Sequence, residues 1–262
     1  MKKILLPMLS IILLASCEKQ ISVDKSPEDI GCISEKKPEK INACHFDGKT
    51  GNPKTISISV NAWPAHQAHG DLKGDCSAVM TKICDQFWMV KNLDVATYRN
   101  GDIIPQVKDA NTWFSLTSGA WCYYLNLSEN GPIYGKLYNW YAVNDPRGLA
   151  PVGWHVPTET DVSTLSNCLG GDLVAGAKMM ETGTAHWPPP NSEATNSSGF
   201  TGLPGGTRSK IALWGGGGYY WTSTVFEYDA DYARYFILGD HSKLIRNFTY
   251  TVDGASVRCV KD

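Results

Sequence analysis

The chain has no excess of charge of either sign: 24 Lys and Arg stand against 26 Asp and Glu in 262 residues, a net charge of −2. A nucleic-acid partner is therefore not expected, because phosphate recognition needs a strongly basic face to displace condensed counterions. Long apolar runs are missing too. The one such stretch, Ile4 to Ala15, is broken by Pro7 and Ser10 and is too short to span the roughly 30 Å of a bilayer as a helix. Nothing repeats at the period of a solenoid or a propeller, which excludes stacked-repeat architectures.

The beginning of the chain is informative. Lys2 and Lys3 precede the apolar stretch and Ala15-Ser16-Cys17 closes it, an order that reads as an export signal over residues 1–16. Small residues directly before a cysteine resemble the lipobox of bacterial lipoproteins, which implies acylation of Cys17 and a durable membrane anchor. The alternative is an ordinary export signal with an incidental cysteine. Glu18, where an aspartate would signal inner-membrane retention, makes the outer membrane of a bacterial cell envelope the expected location. Residues 17–43 are polar, Pro-containing and without sustained hydrophobic period, so they read as a flexible, lipid-anchored tether.

Eight cysteines in a chain read as exported point to disulfides. With Cys17 acylated, Cys32, Cys44, Cys76, Cys84, Cys122, Cys168 and Cys259 remain, and Cys32 in the polar leader is the expected odd thiol. Residues 44–76 form a small Cys/His module. Cys44-His45 leads into the alternating run Thr55 to Val60, and WPAHQAHGD follows before Cys76. Asn61 as a cap and Pro64 in the first turn predict a short helix with His66 and His69 on one face. His45, His66, His69 and Asp71 are donor types suited to zinc. The other reading is a Cys44–Cys76 disulfide around a small strand-helix unit, with the histidines capping or exposed.

Further on, Tyr134 to Val143 spaces its apolar residues nearer 3.6 than 2 and predicts a helix. Thr158 with Asp161 predicts a capping box that starts a second helix, whose face of Val162, Leu165, Cys168 and Leu169 turns Cys168 into the core. A weaker helical pattern covers residues 173–180, a short strand is expected at 119–124, and a last one at Ala255 to Val260.

Five segments in fixed order, GKLYNWYAV, GLAPVGWHVPT, GFTGLPGGTR, YYWTST and SVRCVKD, resemble the Fibrobacter succinogenes major paralogous domain. The resemblance implies an α+β, C-type-lectin-like domain over residues 77–262, with short antiparallel strands, two main helices, long loops, and first and last strands meeting in one sheet. It also implies a helix stapled to the final strand, Cys168 to Cys259, although many family members carry a cysteine where this chain has Ala150. The family has no settled biochemical activity. GWHVPTETD resembles, more distantly, a segment of the formylglycine-generating enzymes, but those use two closely spaced late cysteines and Cys259 stands alone here.

No catalytic constellation emerges, because His155, His186, His241 and Ser223 have no sequence neighbours that would complete a nucleophile with its base and orienting acid. The Glu-Pro-Asn, Gln-Pro-Asp and Trp-Asn-Asp tripeptides of calcium-dependent lectins are absent, so calcium is not expected, and no cofactor other than zinc in the 44–76 module is. Trp187, Trp214 and Tyr219 lie in Pro- or Gly-rich surroundings and read either as a sugar-stacking platform or as packing. The expectation is a non-enzymatic envelope protein binding a glycan or another envelope protein; a structural or fimbria-associated component and an enzyme with an unrecognised site are the alternatives.

Overall fold

The computed structural model describes residues 38–48, 50–210, 214–240 and 242–262. Export signal, Cys17, Cys32 and His241 lie outside the described residues. Strand β1 (Lys40–Phe46) begins within the stretch read as tether and pairs antiparallel with β2 (Pro53–Ser59). Helix α1 (Trp63–Ala68) and the short β3 (Leu72–Lys73) complete this unit, β3 lying along the other edge of β1. A single turn, α2 (Cys76–Val79), leads directly into β4 (Met80–Ile83) and β5 (Gln86–Met89).

The middle of the chain is made of short pieces: α3 (Ala110–Phe114), β6 (Trp121–Cys122), α4 (Gly131–Tyr134), β7 (Leu137–Asn139), α5 (Trp140–Val143) and β8 (Trp154–His155). The helix expected over 134–143 is therefore two separate turns flanking a strand. Its apparent period arises because residues 135–140 are buried on all sides rather than along one stripe. Gly135 adopts φ +70°, and a Cβ there would come within 2.7 Å of the Leu93 carbonyl oxygen. Asn139 then caps α5, accepting from the amides of Ala142 and Ala120.

The two main helices are α6 (Glu159–Cys168) and α7 (Asp172–Met179). The expected box at the start of α6 is present: Thr158 Oγ1 accepts from the Asp161 amide, and the Asp161 carboxylate accepts from the Thr158 amide. The remainder is the antiparallel sheet of β9 (Gly218–Val225), β10 (Tyr232–Asp240) and β11 (Lys243–Tyr250), followed by β12 (Gly254–Ala255) and β13 (Val260–Lys261). The final strand is thus two short pairings rather than one run over 255–260. The bend between them seats the buried Arg258, which donates to Asn92 Oδ1 and to the carbonyls of Met89 and Phe200.

Strands β4, β5, β13 and β8 form one sheet in that order, so the early strand β5 and the last strand β13 are neighbours. Alternation along these strands separates two cores. Trp88 and Val260 join Val162 and Leu165 of α6 and Met179 of α7, whereas Met89 and Cys259 join Leu93, Trp154, Val257 and Trp221. Mixed helices and antiparallel sheets make this an α+β protein. Among the described residues no helix is long and apolar enough to cross a membrane.

This alternation overturns the expected Cys168–Cys259 bridge. Cys259 points into the core on the sheet face away from α6 and is a buried free thiol, while Cys168 is bonded to Cys84 in the β4–β5 turn. Cys168 and Cys84 are both exposed, so Cys168 sits at the rim of the apolar stripe of α6 and not in the core. Cys122 is the second buried free thiol, and Cys44 is bonded to Cys76.

Candidate functional site

Three histidines converge on one aspartate beside β1. His45 comes from that strand, His66 from the last turn of α1, and His69 is the residue that ends α1. Ser59, rather than Asn61, caps the 3-10 turn ahead of this helix, and Pro64 sits in the helix's first turn as expected. The chain then reverses through Gly70 (φ +95°), which brings Asp71 back under the histidines, with its amide donating to the His66 carbonyl at 3.2 Å. The Asp71 carboxylate is buried: Oδ2 lies 2.9 Å from His45 Nδ1 and 2.7 Å from His66 Nδ1, and Oδ1 lies 3.6 Å from His69 Nδ1. Burial pushes this carboxyl up, but hydrogen bonds from His66 and His45 outweigh it and hold it below the usual carboxylate range.

The rest of the chain fixes this segment. The Trp154 indole donates to the Gly70 carbonyl at 3.0 Å, and a Cβ on Gly70 would lie 2.5 Å from the Val152 carbonyl oxygen. Phe46 packs edge-on against Trp154, and the Lys261 ammonium lies 4.9 Å from the Phe46 ring centroid. The Cys44–Cys76 disulfide ties the residue next to His45 to the start of α2.

A second concave region, a groove of about 510 Å³, is assembled from distant segments. Tyr124, Tyr134, His186 and Trp187 supply its rings, and the run Pro188 to Pro190 with Glu193 supplies another part of its lining. His186 Nδ1 is 2.8 Å from a Glu181 carboxylate oxygen, and the Asn191 amide donates to the carbonyls of Glu181 and Gly183, which anchors the proline-rich loop. Of the three aromatics singled out in the sequence, Trp187 lines the groove but is nearly buried, with its indole bonded to the Gly202 carbonyl. Trp214 packs edge-on against Tyr124 from outside the lining, and Tyr219 stacks on Tyr235. Sequence spacing does not reveal Tyr124, Tyr134 and His186, because their proximity is created by the tertiary fold.

A ring cluster missed by sequence reasoning lies on β10, β11 and the turn before β10. Phe226 stacks on Phe248 at 4.1 Å between centroids, Tyr232 packs on Tyr250 at 4.6 Å, and Tyr228 is 82% exposed. The only signal for it was the density of aromatic residues. His155 is bracketed by carboxylates, with Nδ1 2.7 Å from Asp262 and Nε2 3.3 Å from Asp161. Ser223 Oγ donates to the Val156 carbonyl. Burial pushes the Cys122 thiol up to about 11 and the Cys259 thiol to about 12, so neither offers a thiolate at neutral pH.

No curated protein and no solved structure matches the chain. The ordered motifs up to Lys261, the paired strands β5 and β13 and the capped helix between them fall inside residues 81–261, the span matched by the model of the Fibrobacter succinogenes major domain, and the chain belongs to that family.

Proposed function

We propose that the protein is a non-enzymatic, lipid-anchored component of a bacterial cell envelope, placed at the outer membrane, whose C-type-lectin-like domain binds a glycan in the aromatic groove. The groove carries this reading. Its volume of about 510 Å³ suits a few sugar rings, and the rings of Tyr124 and Tyr134 line it together with the polar groups of His186 and Glu193. Flat rings pack against the apolar faces of pyranoses while carboxylate and imidazole groups order their hydroxyls. The pairing of β5 with β13 is what a lectin-like plan requires. The sequence around Cys17 supports the anchor, and a Cys17→Ser variant that still fractionates with membranes would remove that part of the reading.

The direct test is a glycan array probed with the full chain, followed by calorimetric titration of the hits. Tyr134→Ala should weaken a true hit about tenfold, the equivalent of roughly 1.4 kcal/mol. Binding to no glycan, or hits indifferent to both Tyr134→Ala and Glu193→Gln, would sink the proposal. The exposed rings Tyr228 and Phe248 favour one rival, a structural envelope component that docks on a protein. A Tyr228→Ser, Phe248→Ser variant that stays folded and still enters the same native-gel envelope complexes would remove that rival.

A further inference from the structure

The groove accounts for nothing in the histidine cluster, whose four donors come from a strand, a helix, a helix end and the following turn. We propose that His45, His66, His69 and Asp71 bind one divalent cation of the zinc class and that this ion ties strand β1 to α1 and the turn that follows it. The four donor groups have ligand atoms within 4.8 Å of one another. A tetrahedral zinc with bonds of about 2.1 Å places its ligand atoms about 3.4 Å apart. The observed approaches to the two Asp71 oxygens, 2.7, 2.9 and 3.6 Å, lie close to that separation.

The chemistry of the set selects the ion. Three imidazoles and one carboxylate suit zinc and its first-row neighbours, whereas calcium and magnesium require shells of oxygen. Four protein donors fill a tetrahedron, which is the composition of a structural site with no position left for substrate. Hydrogen bonding alone explains the arrangement less well. Asp71 Oδ2 already meets two imidazoles, Oδ1 faces the Phe46 amide at 3.4 Å, and His69 at 3.6 Å is too far to add a bond. The third ring nevertheless stands with its centroid 5.4 Å from that of His45 and 5.3 Å from that of His66.

The site is also held and reachable. The Trp154 indole on the Gly70 carbonyl, the Cys44–Cys76 disulfide and the pairing of Cys44 with Leu72 set the backbone of three of the four donors before any ion arrives. His69, half exposed, borders a surface cavity of about 560 Å³ lined by Asp47, Asp85 and Asp262 against the single cation Lys261, a net acidic approach for a metal ion.

The full chain, stripped with a chelator and dialysed, is titrated with zinc chloride against a competing chromophoric chelator, and the bound metal is counted by elemental analysis. One equivalent of zinc per chain is expected, with His66→Gln abolishing stoichiometric binding and His69→Gln weakening it at least about tenfold. His69 is half exposed and makes no short hydrogen bond, so His69→Gln should keep the fold, as judged by the retained Cys44–Cys76 bond and an unchanged circular dichroism spectrum. Should both variants misfold, cobalt(II) bound to the unaltered chain decides: absorption bands of tetrahedral intensity support the site, and their absence overturns it. Failure to bind zinc, or binding that both folded variants leave unchanged, also overturns it. None of these results depends on whether the groove takes a glycan.

Discussion

The Cys84–Cys168 bond makes a sharp prediction because its rival, Cys168–Cys259, would close a loop of similar length. A bridge across 84 residues removes about 15 cal/mol/K of chain entropy from the unfolded state, about 4.6 kcal/mol at 25 °C. For a domain of this size each kcal/mol moves the midpoint by roughly 2–4 °C, so the double variant Cys84→Ser, Cys168→Ser should melt about 9–18 °C lower. Both cysteines are exposed, so serine adds no buried polar group and the loss reflects the crosslink alone. Cys259→Ala, by contrast, trims a small buried side chain from a core and should cost on the order of 1 kcal/mol. The assay is thermal unfolding followed by circular dichroism, with non-reducing peptide mapping of the same samples. The identity of the sensitive residue decides the matter, because the magnitudes expected of the two bridges are alike. A map joining residue 168 to residue 259, or a Cys259→Ala variant as unstable as the double variant, would refute the reasoning.

Arg147 should govern part of the acid limb of stability. Its hydrogen bonds hold the Asp145 carboxyl down at about 2 and also lower that of Asp102. A depressed carboxyl contributes stability that is complete above the unfolded value of 3.8 and is lost as pH falls through the folded value. Arg147→Met should therefore lower the melting temperature at pH values above about 4 and flatten its decline between about pH 4 and pH 2, and coincident pH profiles would rule the pairing out as a contributor. Arg258→Lys keeps the charge but not the fork that reaches Asn92, Met89 and Phe200, and it leaves carbonyls without donors in the core. Urea titration should show a loss of about 3 kcal/mol or more, and a loss under about 1 kcal/mol would mean that the core rearranges around lysine.

Local chemistry was legible in the sequence and long-range assembly was not. Thr158 and Asp161 are three residues apart, and their reciprocal bonds depend only on that spacing, so the start of α6 could be read directly. The histidine cluster was legible for a similar reason, since its donors lie within one short segment whose turn is set by Gly70. Tyr134 to Val143 misled because burial on every side imitates a helical period, and only Gly135 and Asn139 break it. Cys168 misled because it borders the stripe made by Val162, Leu165 and Leu169, and a border position leaves a cysteine's partner unspecified. The groove was invisible in outline: Tyr124, Tyr134 and His186 become neighbours only after the loops fold over one another.

The two thiols sealed in separate cores also shape how the protein can be lost. Cys122 and Cys259 lie beyond the reach of oxidants while the cores are closed, and burial keeps both protonated. Opening exposes them together with two existing disulfides, and thiolate exchange can then scatter the pairings in chains that stay open long enough. Under oxidising conditions such a chain has a one-way exit from the native state. Its working lifetime is then set by how often the cores open, a rate, and not by the equilibrium between folded and unfolded forms.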